Sequence, residues 1–218
     1  MIYTIGGIKG GSGKSTIATN LAVFFAINGK DTLLIDADDQ ETATDFTNIR
    51  NETLEGKAGY TAIQLTNQSL RQQALNLKSK YDEIVIDTGG RDTTSQRAAL
   101  SITDIFIVPF VPRSFDMWTL EKVINLIEEM KQANPNMKAV AVLNKTDHQG
   151  NDNSTAKEFL TDDETVNETL KFINTPLGNR KAFGNAAASG LSVIEITPKD
   201  AKAIAEFENL YNVVTNLK

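Results

Sequence analysis

The stretch IYTIGGIKGGSGKST, residues 2 to 16, constrains this chain more than any other. Five glycines sit between an apolar run and a helical pattern. That is the context in which G-x-x-x-x-G-K-[ST] becomes a phosphate-binding loop. Counting back from Gly13-Lys14, the first glycine should stand at position 8, where the chain has Ile8. Gly10 and Gly11 replace it, preceded by an additional lysine, Lys9. Without side chains, Gly10, Gly11 and Gly13 let backbone N–H groups turn towards phosphate oxygens, and the start of the next helix adds its dipole. Ser12 completes the loop. Lys14 is expected to neutralise the β- and γ-phosphates, Ser15 to hold Mg2+, and Thr16 to reach the α-phosphate. The alternative is a glycine-rich turn with no ligand.

Beyond the loop, apolar runs alternate with helical patterns: DTLLIDAD, YTAIQL, DEIVIDTGG, DIFIVPFV and KAVAVLN read as buried strands. A helix from Lys14 to about Asn28 is stopped by Gly29, and another from about Ser114 to Ala133 carries the stripe Met117, Leu120, Val123, Ile124 and Ile127. Such alternation predicts one α/β domain over residues 1–218, with a mostly parallel twisted sheet and helices on both faces. Ligands of these sheets bind beyond the carboxyl ends of the strands, so the loops after Ile5, Ile35, Ile86, Val108 and Leu143 matter most. Segment 145–175 is read as polar at first and then one helix.

Carboxylates end two of those strands. Asp36 and Asp38 in LLIDADDQ are two apart and face the same side of an extended chain. Asp87 in IVIDTGG closes an apolar run, and a carboxylate there needs a partner that Mg2+ with its waters would supply. Helix capping is the alternative for Asp38 and Asp39. Cysteine is absent, which removes disulfides, thiolate metal sites and cysteine nucleophiles. No apolar run has the length of a membrane span, and the start carries no basic signal region. The sole histidine, His148, is read as exposed in a polar loop. Net charge is −6, yet the bases Lys171, Arg180, Lys181, Lys199 and Lys202 follow an acidic run over 151–169. A local basic patch is therefore compatible with an acidic total.

KGGSGKST, LLIDADDQ, YDEIVIDTGG and IVPFVPRSFD, in this order, resemble the ParA/MinD family of deviant-Walker P-loop ATPases, most closely its short ParA-type branch. GLSVIEITPKDAKAIAEFENL is similar to that branch's final strand and helix. The resemblance implies that Lys9 reaches into the nucleotide of a second subunit, so that two protomers sandwich two ATP molecules. It implies that Asp38 polarises the attacking water, that Asp36 and Asp87 hold Mg2+ through waters, and that Thr88, Gly89 and Gly90 sense the γ-phosphate. Asn144 is the implied reader of adenine, with Pro198 bordering that pocket. Two departures stand out: Asp39 where the family has proline, and Gly89-Gly90-Arg91-Asp92 where prolines are usual, which puts an arginine within reach of the switch loop.

What the resemblance implies for activity is slow, Mg2+-dependent ATP hydrolysis, accelerated by a ParB-like or other adaptor offering a basic segment. It also implies cytoplasmic, nucleoid-associated cargo positioning by non-specific DNA binding of the ATP dimer. Arg180 and Lys181, with Lys171, Lys199 and Lys202, are the candidate DNA contacts, and no N-terminal helix-turn-helix domain is expected. Two other readings remain open. One is a MinD-like membrane ATPase, for which Leu210, Val213, Val214 and Leu217 form a stripe with little basic charge nearby. The other is a metabolic kinase or ligase of the same fold.

Overall fold

The computed structural model describes residues 1–114, 117–147, 151–162 and 164–217. The expectations for His148 and Asp163 lie outside these, as does the Met117 side chain. Eight parallel strands form one sheet: β1 (Ile2–Ile5), β2 (Thr32–Asp36), β3 (Thr61–Gln64), β4 (Glu83–Asp87), β5 (Ile105–Phe110), β6 (Lys138–Thr146), β7 (Lys171–Phe172) and β8 (Leu177–Gly178). Their order is β3-β2-β4-β1-β5-β6-β7. β7 and β8 lie one after the other along β6, with Lys171 beside Val140 and Leu177 beside Asn144.

Strands β1, β2, β4 and β5 are buried at every residue, whereas edge strand β3 is half open. Alternation along β5 shows how both faces are filled. Ile105 and Ile107 join the core under α1 (Lys14–Ile27), α8 (Lys181–Ala188) and α9 (Ala201–Thr215), while Phe106, Val108 and Phe110 join the core under α5 (Met117–Ala133) and α6 (Asp152–Thr161). A third core on the latter face packs α3 (Asn67–Leu77) and α4 (Thr94–Leu100) over β2 and β4. The expected architecture is thus present. Helix α1 is central, buried continuously from Ile17 to Phe25, with Phe24 against Phe207 of α9 at 4.9 Å. The α5 residues Leu120, Val123, Ile124 and Ile127 are core, as read from their spacing.

Three local expectations are corrected. Segment 145–175 holds two helices, α6 and α7 (Glu164–Thr169), followed by β7, because α6 stops at Asp162 and the chain returns to the sheet. The 3-10 turn Pro112–Ser114 precedes α5, which begins at Met117. The stretch GLSVIEIT is not a strand. Asn20 Oδ1 accepts the Val193 N–H at 3.0 Å and Glu195 accepts the Ser192 N–H at 2.8 Å, so side chains satisfy donors that a ladder would otherwise take. β8 already occupies the neighbouring length of β6.

Candidate nucleotide site

β1 stops at Ile5 in the middle of the sheet, and the glycine loop turns over its end into α1. Ile8, in place of the usual glycine, is half-buried against the α5-side core and holds the loop to that face. Gly13 enters the helix at φ +88°, and a Cβ there would lie 2.2 Å from Asn144 Nδ2. Only glycine satisfies both constraints. Asn144 is buried, donating to the Ser12 carbonyl at 2.7 Å while its Oδ1 accepts the Lys145 N–H at 2.9 Å. Lys145 Nζ donates to the Gly11 carbonyl at 2.8 Å. The end of β6 therefore braces the loop from outside.

A cavity of about 590 Å³ opens at this edge, lined by Gly10, Gly11, Gly13, Lys14, Ser15, Thr16, Asp38, Asp39, Gly89, Gly90, Arg91 and Lys145 among others. Lys14 is buried, and its Nζ donates to the Lys9 carbonyl at 3.0 Å. Burial lowers its pKa, partly offset by the charges of Asp87 and Asp38. Another cavity, about 500 Å³ between α2 (Thr42–Thr53) and β3, contains none of the expected phosphate or metal residues.

The two strand-end aspartates differ sharply. Asp36 and Asp87 are register partners on adjacent strands. Asp36 is engaged: Oδ1 accepts the Asp38 N–H at 3.1 Å, and Oδ2 accepts both the N–H and the hydroxyl of Thr44 at 2.8 Å. It anchors the first turn of α2. Asp87 is fully buried, and neither carboxylate oxygen has a hydrogen-bond partner among the described residues. Burial pushes its carboxyl up to about 8, against the pull of the nearby Ser15 hydroxyl and Lys14. Ser15 is close enough to ease the shift without meeting either oxygen in good hydrogen-bonding geometry. Asp87 is not itself among the residues lining the cavity, but its neighbours Ser15 and Lys14 are; a carboxylate and a hydroxyl are hard donors suited to Mg2+, and an ammonium suits phosphate.

The loop after β4 packs directly on the glycine loop. A Cβ on Gly90 would lie 2.8 Å from both N and Cα of Gly10 and 3.0 Å from the Lys9 carbonyl carbon. Asp38 is at its other side, with Oδ1 3.1 Å from where a Gly89 Cβ would be. Thr88 is buried, and its hydroxyl lies 3.0 Å from the Ile5 carbonyl and 3.1 Å from Gln96 Oε1, which also accepts the Gly7 N–H at 3.3 Å. Thr88 thus ties β4 to β1 and α4, with Gly89 and Gly90 left to line the cavity.

Other expected residues sit elsewhere. Pro198 is exposed and is not among the residues lining the cavity. Arg180 is half-buried and donates twice to Glu206, at 2.9 and 2.5 Å. Lys181, Lys199 and Lys202 are exposed, and Lys199 Nζ donates to the Ile194 carbonyl. Lys171 is apart from them: it pairs with Val140 while Gly178 pairs with Thr146, six residues further along β6, roughly 20 Å. Gln96 and Lys145 are the residues that sequence reasoning missed. Thr93-Thr94-Ser95-Gln96 has the capping-box spacing, and Thr93 does accept the Gln96 N–H at 3.1 Å, so α4 was readable. Lys145 directly follows the strand-ending Asn144.

A family model, the CobQ/CobB/MinD/ParA nucleotide binding domain, matches residues 3–193. The chain belongs to this family. Within the MinD/ParA group it is 25% identical over 212 residues to the maintenance of carboxysome distribution protein A of Halothiobacillus neapolitanus, covering 96% of this chain and 94% of that protein. Its fold matches a putative plasmid partition protein from Borrelia burgdorferi solved with AMPPNP, at TM-score 0.73, 20% identity and coverage of 100% and 99%. It matches the McdA–ATP complex of Cyanothece at TM-score 0.77, 15% identity and coverage of 98% and 96%. At such identities the structural likeness shows the MinD/ParA fold. Among the described residues no helix is long and apolar enough to cross a membrane.

Proposed function

We propose that this protein is a weak Mg2+-dependent ATPase that dimerises on ATP and positions DNA or a protein cargo through ATP-controlled, non-specific DNA binding. The observation that carries the reading is Asp87: a fully buried carboxylate with no hydrogen-bond partner among the described residues, beside the Ser15 and Lys14 that line the cavity. Ser15 and, through waters, Asp36 and Asp87 would hold Mg2+, which when bound supplies positive charge against the phosphates. Lys14 would leave the Lys9 carbonyl for the β- and γ-phosphates, Gly10 to Thr16 would cradle them, and Gly89 and Gly90 would feel the γ-phosphate. Asp38 would orient water, and Lys9 would cross to the nucleotide of a second copy. Asn144 holds the loop in shape for the base side of the site, with Pro198 kept as a rim contact.

Cargo positioning is supported by the relatives, one named for carboxysome distribution and another for plasmid partition. An adaptor with a basic segment is the partner that a slow ATPase of this kind needs. Lys181, Lys199 and Lys202 are the exposed bases for DNA phosphates, with Lys171 and Arg180 as outlying contributors. The apolar stripe of α9 is used in packing: Leu210 and Val214 are core, with Val213 and Leu217 against its margin. A membrane-binding face would need those side chains free.

Light scattering and DNA binding with ATP and with ADP test the reading. Mass and DNA affinity should rise only with ATP, Lys9→Ala should abolish both effects, and Asp38→Ala should bind DNA persistently. Equal masses in every nucleotide state would refute it.

A further inference from the structure

Six arginines occur in the chain, and their surroundings divide them. Arg50 is bonded to Glu195, Arg97 to Asp92 and Glu129, Arg113 to Asp147, and Arg180 to Glu206. Arg71 is exposed on α3. Arg91 alone of the six lines the cavity of the glycine loop. Among the described residues it has neither a hydrogen bond nor an ion pair.

The lack of a partner has a cause in the neighbouring residues. Asp92, next in the chain, is the obvious carboxylate for Arg91, but Arg97 holds both of its oxygens, Nε to Oδ1 at 2.7 Å and Nη2 to Oδ2 at 2.6 Å. A third Arg97 nitrogen reaches Glu129 of α5 at 2.8 Å, engaging an acid that lines a neighbouring cavity together with Arg91. Arg91's own backbone is positioned by Gly90, whose missing Cβ lets the loop lie against Gly10 and the Lys9 carbonyl. One arginine of the Arg91–Arg97 pair thus occupies Asp92 and Glu129, and the other remains uncommitted on the wall of the cavity, next to the Gly90 that packs on the glycine loop.

We infer that Arg91 is a catalytic residue of this ATPase, a built-in arginine that contacts the γ-phosphoryl group as it transfers, with Arg97 as its positioning residue. The inference rests on the proposed ATP hydrolysis. In that step a water oxygen bonds to the γ-phosphorus as the bond from phosphorus to the β,γ-bridging oxygen breaks. ADP leaves with the bridging oxygen's electron pair, and the water's proton passes to the phosphate released or to solvent. Charge builds on the γ-oxygens and the leaving oxygen, where a guanidinium stabilises the transition state more than the ground state. An arginine in this role makes part of the rate independent of an adaptor.

The test compares binding with turnover. Wild type, Arg91→Ala, Arg91→Lys and Arg97→Gln are titrated by calorimetry with Mg-ADP, and with Mg-ADP plus aluminium fluoride as a transition-state mimic. Their steady-state hydrolysis is measured without any partner. Arg91→Ala should bind ADP within about twofold of wild type, bind the mimic about tenfold or more weakly, and lose about tenfold or more in kcat with little change in KM, at the low end of what an arginine finger contributes. Arg91→Lys should recover part of both losses. Arg97→Gln releases Asp92 to pair with Arg91 and should weaken mimic binding by a smaller factor, about threefold. An Arg91→Ala protein that matches wild type for mimic and kcat overturns the inference and leaves the ATPase reading intact. A wild type that neither hydrolyses ATP nor loses nucleotide affinity on Lys14→Ala overturns both.

Discussion

The carboxyl edge of the sheet holds two charged regions built to opposite plans. At the ends of β1, β2 and β4, Asp87 is buried without a partner, Lys14 rests on a backbone carbonyl, and Arg91 is unpaired among the described residues. Around α2, α9 and the 190–195 loop every buried charge is matched. Arg50 meets both oxygens of Glu195 at 2.7 and 2.8 Å and also donates to the carbonyls of Ala58 and Gly190. Arg180 meets both oxygens of Glu206, which also accepts the Gly178 N–H at 3.0 Å. Burial works to raise the Glu206 carboxyl, but these hydrogen bonds outweigh it and hold it below the usual glutamate range. Internally satisfied charge serves as scaffold, and a desolvated group left unsatisfied marks where a ligand belongs.

The largest effect that would break this contrast is on the scaffold side. Arg50→Ala leaves Glu195 and two carbonyls without their donor, and should cost about 3 kcal/mol or more, as for a buried pair that loses one member. Denaturant unfolding checks it, and a loss below about 1 kcal/mol, the worth of a surface pair, would mean that the scaffold role is overstated.

On the ligand side, Asp87→Asn should stabilise the nucleotide-free protein by about 1–3 kcal/mol near pH 8, because it removes a buried charge. The sign follows from linkage. The Asp87 carboxyl titrates near 8 in the folded chain against an ordinary 3.8, so the folded state holds its proton more tightly. Its stabilising contribution is full below about 4 and is lost as pH rises to about 8. Melting curves across this range should converge for wild type and Asp87→Asn at the acid end and separate at the alkaline end. The same substitution should remove the Mg2+ dependence of nucleotide binding.

The smallest effect sharpens the division among the bases. Arg180→Ala should lower stability by about 1 kcal/mol and leave the salt dependence of DNA binding alone, since its charge is taken by Glu206. Lys181→Ala should leave stability unchanged and reduce the slope of log affinity against log salt by about one unit per protomer. The reverse pattern would move Arg180 to the DNA face.

Much of this was readable from residue order. Strands that are apolar throughout announced a sheet covered on both sides, and the glycine loop with Asp36, Asp38 and Asp87 fell at strand ends, where such sheets bind ligands. Less readable was anything fixed by a partner distant in sequence. Arg180 looked like a free base because Glu206 is a full helix away, and the strand that the family resemblance implied at GLSVIEIT is absent where Asn20, distant in sequence, takes the Val193 N–H. The bond of Asn144 to Ser12 was equally hidden, because it joins residues 132 positions apart. Periodicity reports which face is buried, whereas these assignments depend on which side chain arrives there first.

The helix that begins at Lys14 buries Phe24 against Phe207, and its Asn20 grips both the Thr16 carbonyl and the Ser192–Val193 turn. The glycine loop and a contact that seats its helix are far apart along the chain, with 173 positions between Asn20 and Val193. Removing α9 would leave the sequence of the glycine loop whole and yet strip away packing that holds its helix in place.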